Sequence, residues 1–323
     1  MSGFSFGYKK HRIAQSRLVA YNIEMNSPTE IIIFYKYTEV ADPIAFAAWQ
    51  KETCLELELL GRILVAHEGI NGTAEGTPEQ IQAYERRMHA QDGSPGTFGN
   101  FHDLWFKHSP GTGHAFRSLK VKIRPEIVSL SLPHNDIDPR QTTGTHITPQ
   151  TLKGWIESGV DFEIVDMRND YEFKVGHFKN SIHPGLENFR DLQKALPSLE
   201  PLKQKKVLTV CTYGVRCEKA SGYLMQQGFE EVYQLDGGIG TYMKQYPGED
   251  FLGSLYVFDE RMLEQESPTY EVVGVCETCG ANTEHFTNCA FGDCHKKMLV
   301  CLSCLELTPS VYCNEVCKVA NTI

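Results

Sequence analysis

Val207-Leu208-Thr209-Val210 runs without a break into Cys211-Thr212-Tyr213-Gly214-Val215-Arg216-Cys217, and then into Glu218 to Gln227 before Gly228. The first four residues read as a buried strand, and the last ten as a helix with a glycine stop. A strand feeding a helix through a short loop is the repeating unit of a parallel α/β sheet, and the loop lies at the carboxyl edge where ligand sites form. Backbone N–H groups folded into such a loop stabilise an anion, as does the positive end of the next helix. At Cys211 that anion is a thiolate, and Arg216 adds a permanent positive charge. These conditions lower a cysteine pKa and make the sulfur nucleophilic. The alternative is a cysteine packing as a small hydrophobe. Arg216, Gly214 and the strand-to-helix position favour an ionised, solvent-reachable thiol, with Thr212, Tyr213, Gly214 and Val215 as the loop that meets substrate. Cys217, one turn into the helix, is either structural or the resolving partner of an oxidised Cys211.

Outward from this loop the pattern repeats. Thr148-Pro149 supplies an N-cap and first-turn proline for a helix carrying Leu152, Trp155 and Ile156 on one face. Phe162 to Asp166 and Val232 to Leu235 read as further strands, the latter followed by Gly237-Gly238. Strands alternating with helices over residues 146–250 predict a parallel sheet covered on both faces. Residues 131–145, within a stretch rich in Pro, Asn, Asp and Thr, read as a linker.

Upstream, residues 28–130 give a second pattern. Ile31 to Tyr35 is a strand, Pro43 to Leu60 a helix, Arg62 to Ala66 a strand, and Glu68-Gly69-Ile70-Asn71-Gly72-Thr73 a turn. Thr77-Pro78-Glu79-Gln80 opens a second helix with a capping box. Leu104 to Lys107 and Leu119 to Ile123 complete a βαβαββ order close to a ferredoxin-like, acylphosphatase-like sandwich. Lys120, Lys122 and Arg124 share one strand face, with Val121 and Ile123 directed to the core. Lys107 and Arg117 extend the basic stripe, and Trp105, Phe106, His108 and His114 offer stacking groups, the arrangement used for unpaired RNA bases. A merely solvated strand face fits the same residues equally well.

The chain has 323 residues, suiting about two domains with adequate cores, and a net charge of −10. Overall basicity therefore gives no argument for nucleic acid, and any RNA site is a local basic face. No stretch approaches the ~18 apolar residues of a membrane span, so the expectation is a soluble, cytoplasmic protein with no membrane partner. Residues 1–27 read as an extension, basic and poor in acids, with Met25 as an alternative start and a transit peptide as a further possibility. Nothing in the pattern sets an oligomeric state.

Eight of the eleven cysteines crowd between Cys276 and Cys317. Cys276-x2-Cys279, Cys289-x4-Cys294, Cys301-x2-Cys304 and Cys313-x3-Cys317, within region 271–323 and after a linker over 251–270, suit two structural zinc sites of four thiolates each. His295 is a possible substitute ligand, the pairing is either interleaved or sequential, and an iron–sulfur cluster is the alternative metal group. No GxGxxG motif follows a strand, so neither a flavin nor an NAD site is read, and there is no P-loop. A scattered iron site drawing on His67, His177 and His183 is the other metal arrangement the histidines allow; each of these is more often a satisfied loop histidine.

As a set, the Cys-x4-Arg loop, Asp166-Met167-Arg168, Gly176-His177 and Leu235-Asp236-Gly237-Gly238 resemble the rhodanese pattern, which implies a persulfide-accepting role for Cys211. Glu68 to Thr73, Leu119 to Arg124, Arg216-Cys217-Glu218-Lys219-Ala220-Ser221, Phe258-Asp259-Glu260-Arg261-Met262 and the cysteine-rich tail narrow this further. Together they resemble the bacterial rhodanese-domain tRNA uridine(34) hydroxylase family. That resemblance implies molecular oxygen as co-substrate, the tRNA anticodon loop as partner and the wobble uridine as the reacting base. It also implies Gly where this chain has Tyr213, whose ring narrows the pocket or stacks on a base. The rival functions are sulfur transfer from a persulfide carrier or thiosulfate, and a non-catalytic RNA-binding or zinc adaptor.

Overall fold

A computed structural model describes residues 28–132 and 137–321. The readings made for residues 1–27 lie outside the described residues. The chain divides into two compact units, one ending at Ile127 and the other beginning at Val128.

The first unit is a five-stranded sheet with two helices. Its elements are β1 (Glu30–Tyr37), α1 (Pro43–Glu56), β2 (Leu60–Ala66), β3 (Gly69–Gly76), α2 (Pro78–His89), β4 (Phe106–Pro110) and β5 (Leu119–Ile123), in sheet order β4-β1-β3-β2-β5. Asp42 caps α1 through bonds from Ile44 N and Ala45 N. Thr77 and Gln80 form the expected reciprocal capping box on α2. The core lies between sheet and helices, where Ile32, Phe34, Ile63, Val65 and Ala74 meet Phe46, Ile81, Tyr84 and Met88. Cys54 is buried in the same core, and that burial pushes its thiol up to about 12, so it is an inert packing residue.

The stretch from Gly69 onward differs from its reading as a turn: it is β3, the centre of the sheet, paired antiparallel with both β1 and β2. Glycine hid it. Gly72 lies over the Phe34 ring, where a Cβ would come within 2.5 Å of Cζ, so the strand lacks the side chains that announce a strand. Glu68 and Asn71 instead clasp the end of the unit: Ile127 N donates to Glu68 Oε1 at 2.8 Å, and Asn71 Nδ2 donates to Ile127 O at 3.1 Å.

In the second unit, β6 (Thr145–Ile147), β7 (Glu163–Asp166), β9 (Lys206–Val210) and β10 (Glu231–Leu235) form a parallel sheet of order β6-β10-β9-β7. Around it lie α3 (Pro149–Ser158), α4 (Asp170–Val175), α5 (Leu192–Leu199), α6 (Val215–Gln226) and α7 (Gly238–Gln245). Within the stretch read as a linker, Ile137 is buried in the main core with Leu186 and Leu224, and Gly144 N donates to Ser221 Oγ at 2.7 Å. A short ribbon joins β8 (Gly176–Phe178) to β11 (Phe251–Gly253), and β12 (Leu255–Tyr256) pairs with β13 (Leu263–Glu264). The tail carries a hairpin, β14 (Phe286–Asn288) with β15 (Lys297–Leu299), and two short helices, α8 (Leu302–Leu307) and α9 (Glu315–Ala320). No helix among the described residues is long and apolar enough to cross a membrane.

Candidate active site

Cys211 stands at the carboxyl end of β9, and the loop turns back over its sulfur. Gly214 makes the turn at φ +100, a left-handed value that favours glycine, and its N–H donates to Cys211 Sγ at 3.2 Å. Gly237-Gly238 closes the loop from beneath. A Cβ on Gly238 would come within 2.7 Å of the carbonyl oxygens of Cys211 and Thr212. This close approach lets Ile239 N and Gly240 N donate to those same carbonyls at 2.9 and 3.0 Å.

Burial opposes ionisation of Cys211, yet its pKa falls to about 6. The S–H of Cys217, the charge of Arg216 and the N–H groups of Cys217 and Arg216 outweigh the desolvation. Cys217 shifts the other way: burial, then the neighbouring Cys211 sulfur, hold its thiol well above the ordinary range. The pair is therefore one thiolate and one neutral S–H donor.

Arg216 does not stand alone. Its Nη1 and Nη2 meet Glu172 Oε2 and Oε1 at 2.7 and 2.8 Å, and Nη2 also donates to Thr212 Oγ1 at 3.0 Å. Glu172 is fully buried at the start of α4. The sequence reading passed over it because Asn169 and Glu172 carry the spacing of a capping box. Glu172 does cap the helix, accepting from Asn169 N at 3.1 Å, while also holding the arginine. The Asp166-Met167-Arg168 motif is structural scaffolding of the same edge. Arg168 Nε and Nη2 grip Asp166 at 2.9 and 2.6 Å, and Nη2 reaches Gly176 O at 2.6 Å.

The expected solvent access is absent: Cys211 is 0% exposed. The segment from β12 to β13 packs against the loop that carries it. Phe258 sets its ring 5.7 Å from the Arg216 guanidinium, and Glu264 accepts from the Tyr213 phenol at 2.5 Å. The sulfur has no exposed surface, and its hydrogen-bond and charge neighbours are polar: the Gly214 N–H, the Cys217 S–H and Arg216.

Each of the histidines read as a scattered iron site has local partners of its own. His67 bonds Val40 O in the first unit, while His177 and His183 stack on Phe173 at 4.2 and 4.8 Å and bond the carbonyls of Phe173 and Arg168.

In the tail the pairing is interleaved. Cys276, Cys279, Cys301 and Cys304 form one quartet and Cys289, Cys294, Cys313 and Cys317 the other, with all ligand atoms of each within 4.8 Å of one another. Sulfur separations of 3.6 Å (Cys279 to Cys301), 3.5 Å (Cys294 to Cys313) and 3.6 Å (Cys313 to Cys317) exclude disulfides, whose bond is about 2.0 Å. They approach the edge of about 3.8 Å that a tetrahedron with 2.3 Å zinc–sulfur bonds requires. His295 belongs to neither quartet.

The basic strand is partly as expected. Lys120, Lys122 and Arg124 are exposed, and Val121 packs on the core. Register adds a residue the sequence reading missed: Arg62 of β2 pairs alongside Lys120 and is exposed on the same face. Three expectations fail. Ile123 is 45% exposed, because it lies at the end of an edge strand. Lys107 is buried, and Phe106 packs on Phe34 at 5.1 Å in the core. Finally, β4 and β5 occupy opposite edges of the sheet, so Trp105 and His108, read as stacking groups, lie roughly 19 Å from the lysine strand rather than beside it.

Comparison with known proteins matches all three parts. Residues 29–127 match the UPF0176 acylphosphatase like domain, residues 148–245 the Rhodanese-like domain, and residues 252–318 the Rhodanase C-terminal family. A tRNA uridine(34) hydroxylase of Cytophaga hutchinsonii is 41% identical over 290 residues, covering 90% of this chain and 89% of that protein. The protein of the same name from Staphylococcus carnosus is 42% identical over 84% of each chain, and that from Bacillus anthracis 42% identical over 91% and 90%. With this identity over nearly the whole of both chains, and the three parts matched in order, the chain belongs to the tRNA uridine(34) hydroxylase family.

Proposed function

We propose that this protein oxidises the wobble uridine of tRNA to 5-hydroxyuridine, with Cys211 as the reacting sulfur and molecular oxygen as co-substrate. The observation that carries this reading is the thiolate of Cys211, held by the loop amides, the Cys217 S–H and Arg216 in a chain of this family. The thiolate, or its persulfide, adds to C6 of the uracil ring and places the electron pair at C5, making that carbon nucleophilic. One atom of oxygen enters at C5 and the other leaves as water, with two electrons and two protons drawn from a thiol reductant. Loss of the C5 proton then expels the sulfur from C6 and restores the double bond. Thr212, Tyr213, Gly214 and Val215 form the wall that the base meets.

The anticodon loop docks on the basic face of β5 through Lys120, Lys122 and Arg124, joined by Arg62. The two cysteine quartets each hold one structural zinc ion, which the donor chemistry and tetrahedral spacing support. The tail has only a small apolar cluster of its own around Met298 and Val300, so metal binding supplies its folding energy. Cysteines kept as thiolates and a tRNA substrate point to a reducing cytoplasm.

The deciding experiment compares nucleoside mass spectra of tRNA from cells with and without the gene. A gain of one oxygen on uridine 34 is expected. Exchange of sulfur for oxygen supports sulfur transfer instead, and an unchanged spectrum supports a binding role. In parallel, tRNA carrying 5-fluorouridine forms a denaturation-resistant adduct with the wild-type protein and none with Cys211→Ser. Equal trapping by that variant removes Cys211 from the reaction.

A further inference from the structure

The Phe258-Asp259-Glu260-Arg261-Met262 segment lies outside the cysteine loop in sequence, yet the β12–β13 stretch to which it belongs meets that loop at two points. These are the Phe258 ring against Arg216 and, two residues beyond Met262, Glu264 against Tyr213. The segment is built as a unit. Asp259 accepts a fork from Arg261, with Nε to Oδ1 at 2.8 Å and Nη2 to Oδ2 at 2.7 Å. Met262 N bonds Asp259 O at 3.0 Å, and Val257 N bonds Met262 O at 2.9 Å. Arg261 also lies 3.9 Å from Glu264, which steadies the carboxylate that receives the phenol. Tyr213 ties this prebuilt hairpin to the loop through a side-chain hydrogen bond to a charged acceptor. A glycine at this position makes no such bond.

We propose that Tyr213 and Glu264 form a latch that holds the β12–β13 hairpin over the cysteine loop, so that a uracil base or small electrophile reaches Cys211 only after the phenol leaves the carboxylate. Tyr213 is on this view a positioning residue that gates the sulfur, and the reacting group is still Cys211. The inference rests on the reading of Cys211 as the reacting sulfur. Burial and the neighbouring Glu264 carboxylate hold the phenol well above its ordinary range, so it stays a donor across neutral pH. A sulfur with no exposed surface reacts only through an opened population, and the rate of reaction scales with that population.

The test is the rate at which iodoacetamide labels Cys211 in the full-length protein, read by peptide mass spectrometry from pH 5 to 9. Tyr213→Phe, which deletes only the hydroxyl, is expected to raise the rate roughly ten- to a hundredfold, the weight of a hydrogen bond to a charged group. Glu264→Ala gives a similar rise from the other side, and the double variant is no faster than either single one, because the two changes remove one bond. The pH midpoint of labelling stays where it is in the wild type. A gain below threefold in Tyr213→Phe, gains that multiply in the double variant, or a rise explained by a shifted midpoint overturns the latch. Wild-type protein that leaves uridine unoxidised while this labelling pattern holds removes the hydroxylase reading and leaves the latch standing.

Discussion

The guanidinium of Arg216 and the carboxylate of Glu172, from different helices of the second unit, form a two-bond fork at 2.7 and 2.8 Å with both side chains buried. This pairing lets a permanent positive charge sit inside the protein beside Cys211. Removing the carboxylate takes from a buried guanidinium the counter-charge that is hydrogen-bonded to it. Glu172→Gln should therefore cost roughly 3–5 kcal/mol of stability in urea unfolding, as breaking a buried ion pair does. A loss under about 1 kcal/mol contradicts the assignment.

The ionisation of Cys211 has a definite pH signature. Its folded-state pKa is lowered to about 6, so iodoacetamide labelling should rise through a midpoint near pH 6 rather than near 9. Cys217→Ala removes the S–H donor and should move that midpoint upward. The sign for stability follows from linkage. A depressed pKa stabilises the fold fully above the unfolded value of 9.0, and the contribution is lost as pH falls through about 6. A labelling midpoint above pH 8 in the wild type is inconsistent with the cradle.

The interleaved quartets predict metal stoichiometry site by site. Native mass spectrometry should find two zinc ions per chain, with Cys279→Ser losing one, Cys294→Ser losing the other, and His295→Ala keeping both. Chelation should collapse the tail's near-UV spectrum and open it to protease, because its own core is small. Loss of both ions from either single variant, or of one ion from His295→Ala, counts against the assigned pairing.

Lys120, Lys122 and Arg124 should dominate the salt dependence of tRNA binding. Replacing all three with Glu is expected to weaken binding and to flatten the plot of log affinity against log salt by about 2, at roughly 0.7 per lost contact with a single strand. Arg62→Glu should act in the same direction, since its register places it beside Lys120. Replacing the exposed His108 of β4 with Gln, at the far edge of the sheet, should leave the slope unchanged. A β5 variant that binds with the wild-type slope ends the assignment of this face.

Much of the architecture could be read without coordinates, because its signals are local. The apolar run ending at Val210 with Cys211 and Gly214 behind it, the Thr77–Gln80 capping box and the Thr148-Pro149 start all encode their elements within a few residues. The paired-cysteine spacing announced a tail of clustered thiols for the same reason. The central strand β3 escaped because Gly72 yields its side-chain space to Phe34.

The sequence by itself determined the strand–loop–helix around Cys211, the sandwich-then-sheet order of the domains and the presence of eight clustered thiols. Each of these depends on side-chain period, cap chemistry or spacing over a single turn of chain. Only the tertiary structure decided that Glu172 holds Arg216, that Tyr213 bonds Glu264, that the quartets interleave, and that Trp105 lies across the sheet from Lys120. Such partners lie tens of residues apart, and their meeting depends on how the whole chain packs, a quantity that no short stretch of residues encodes.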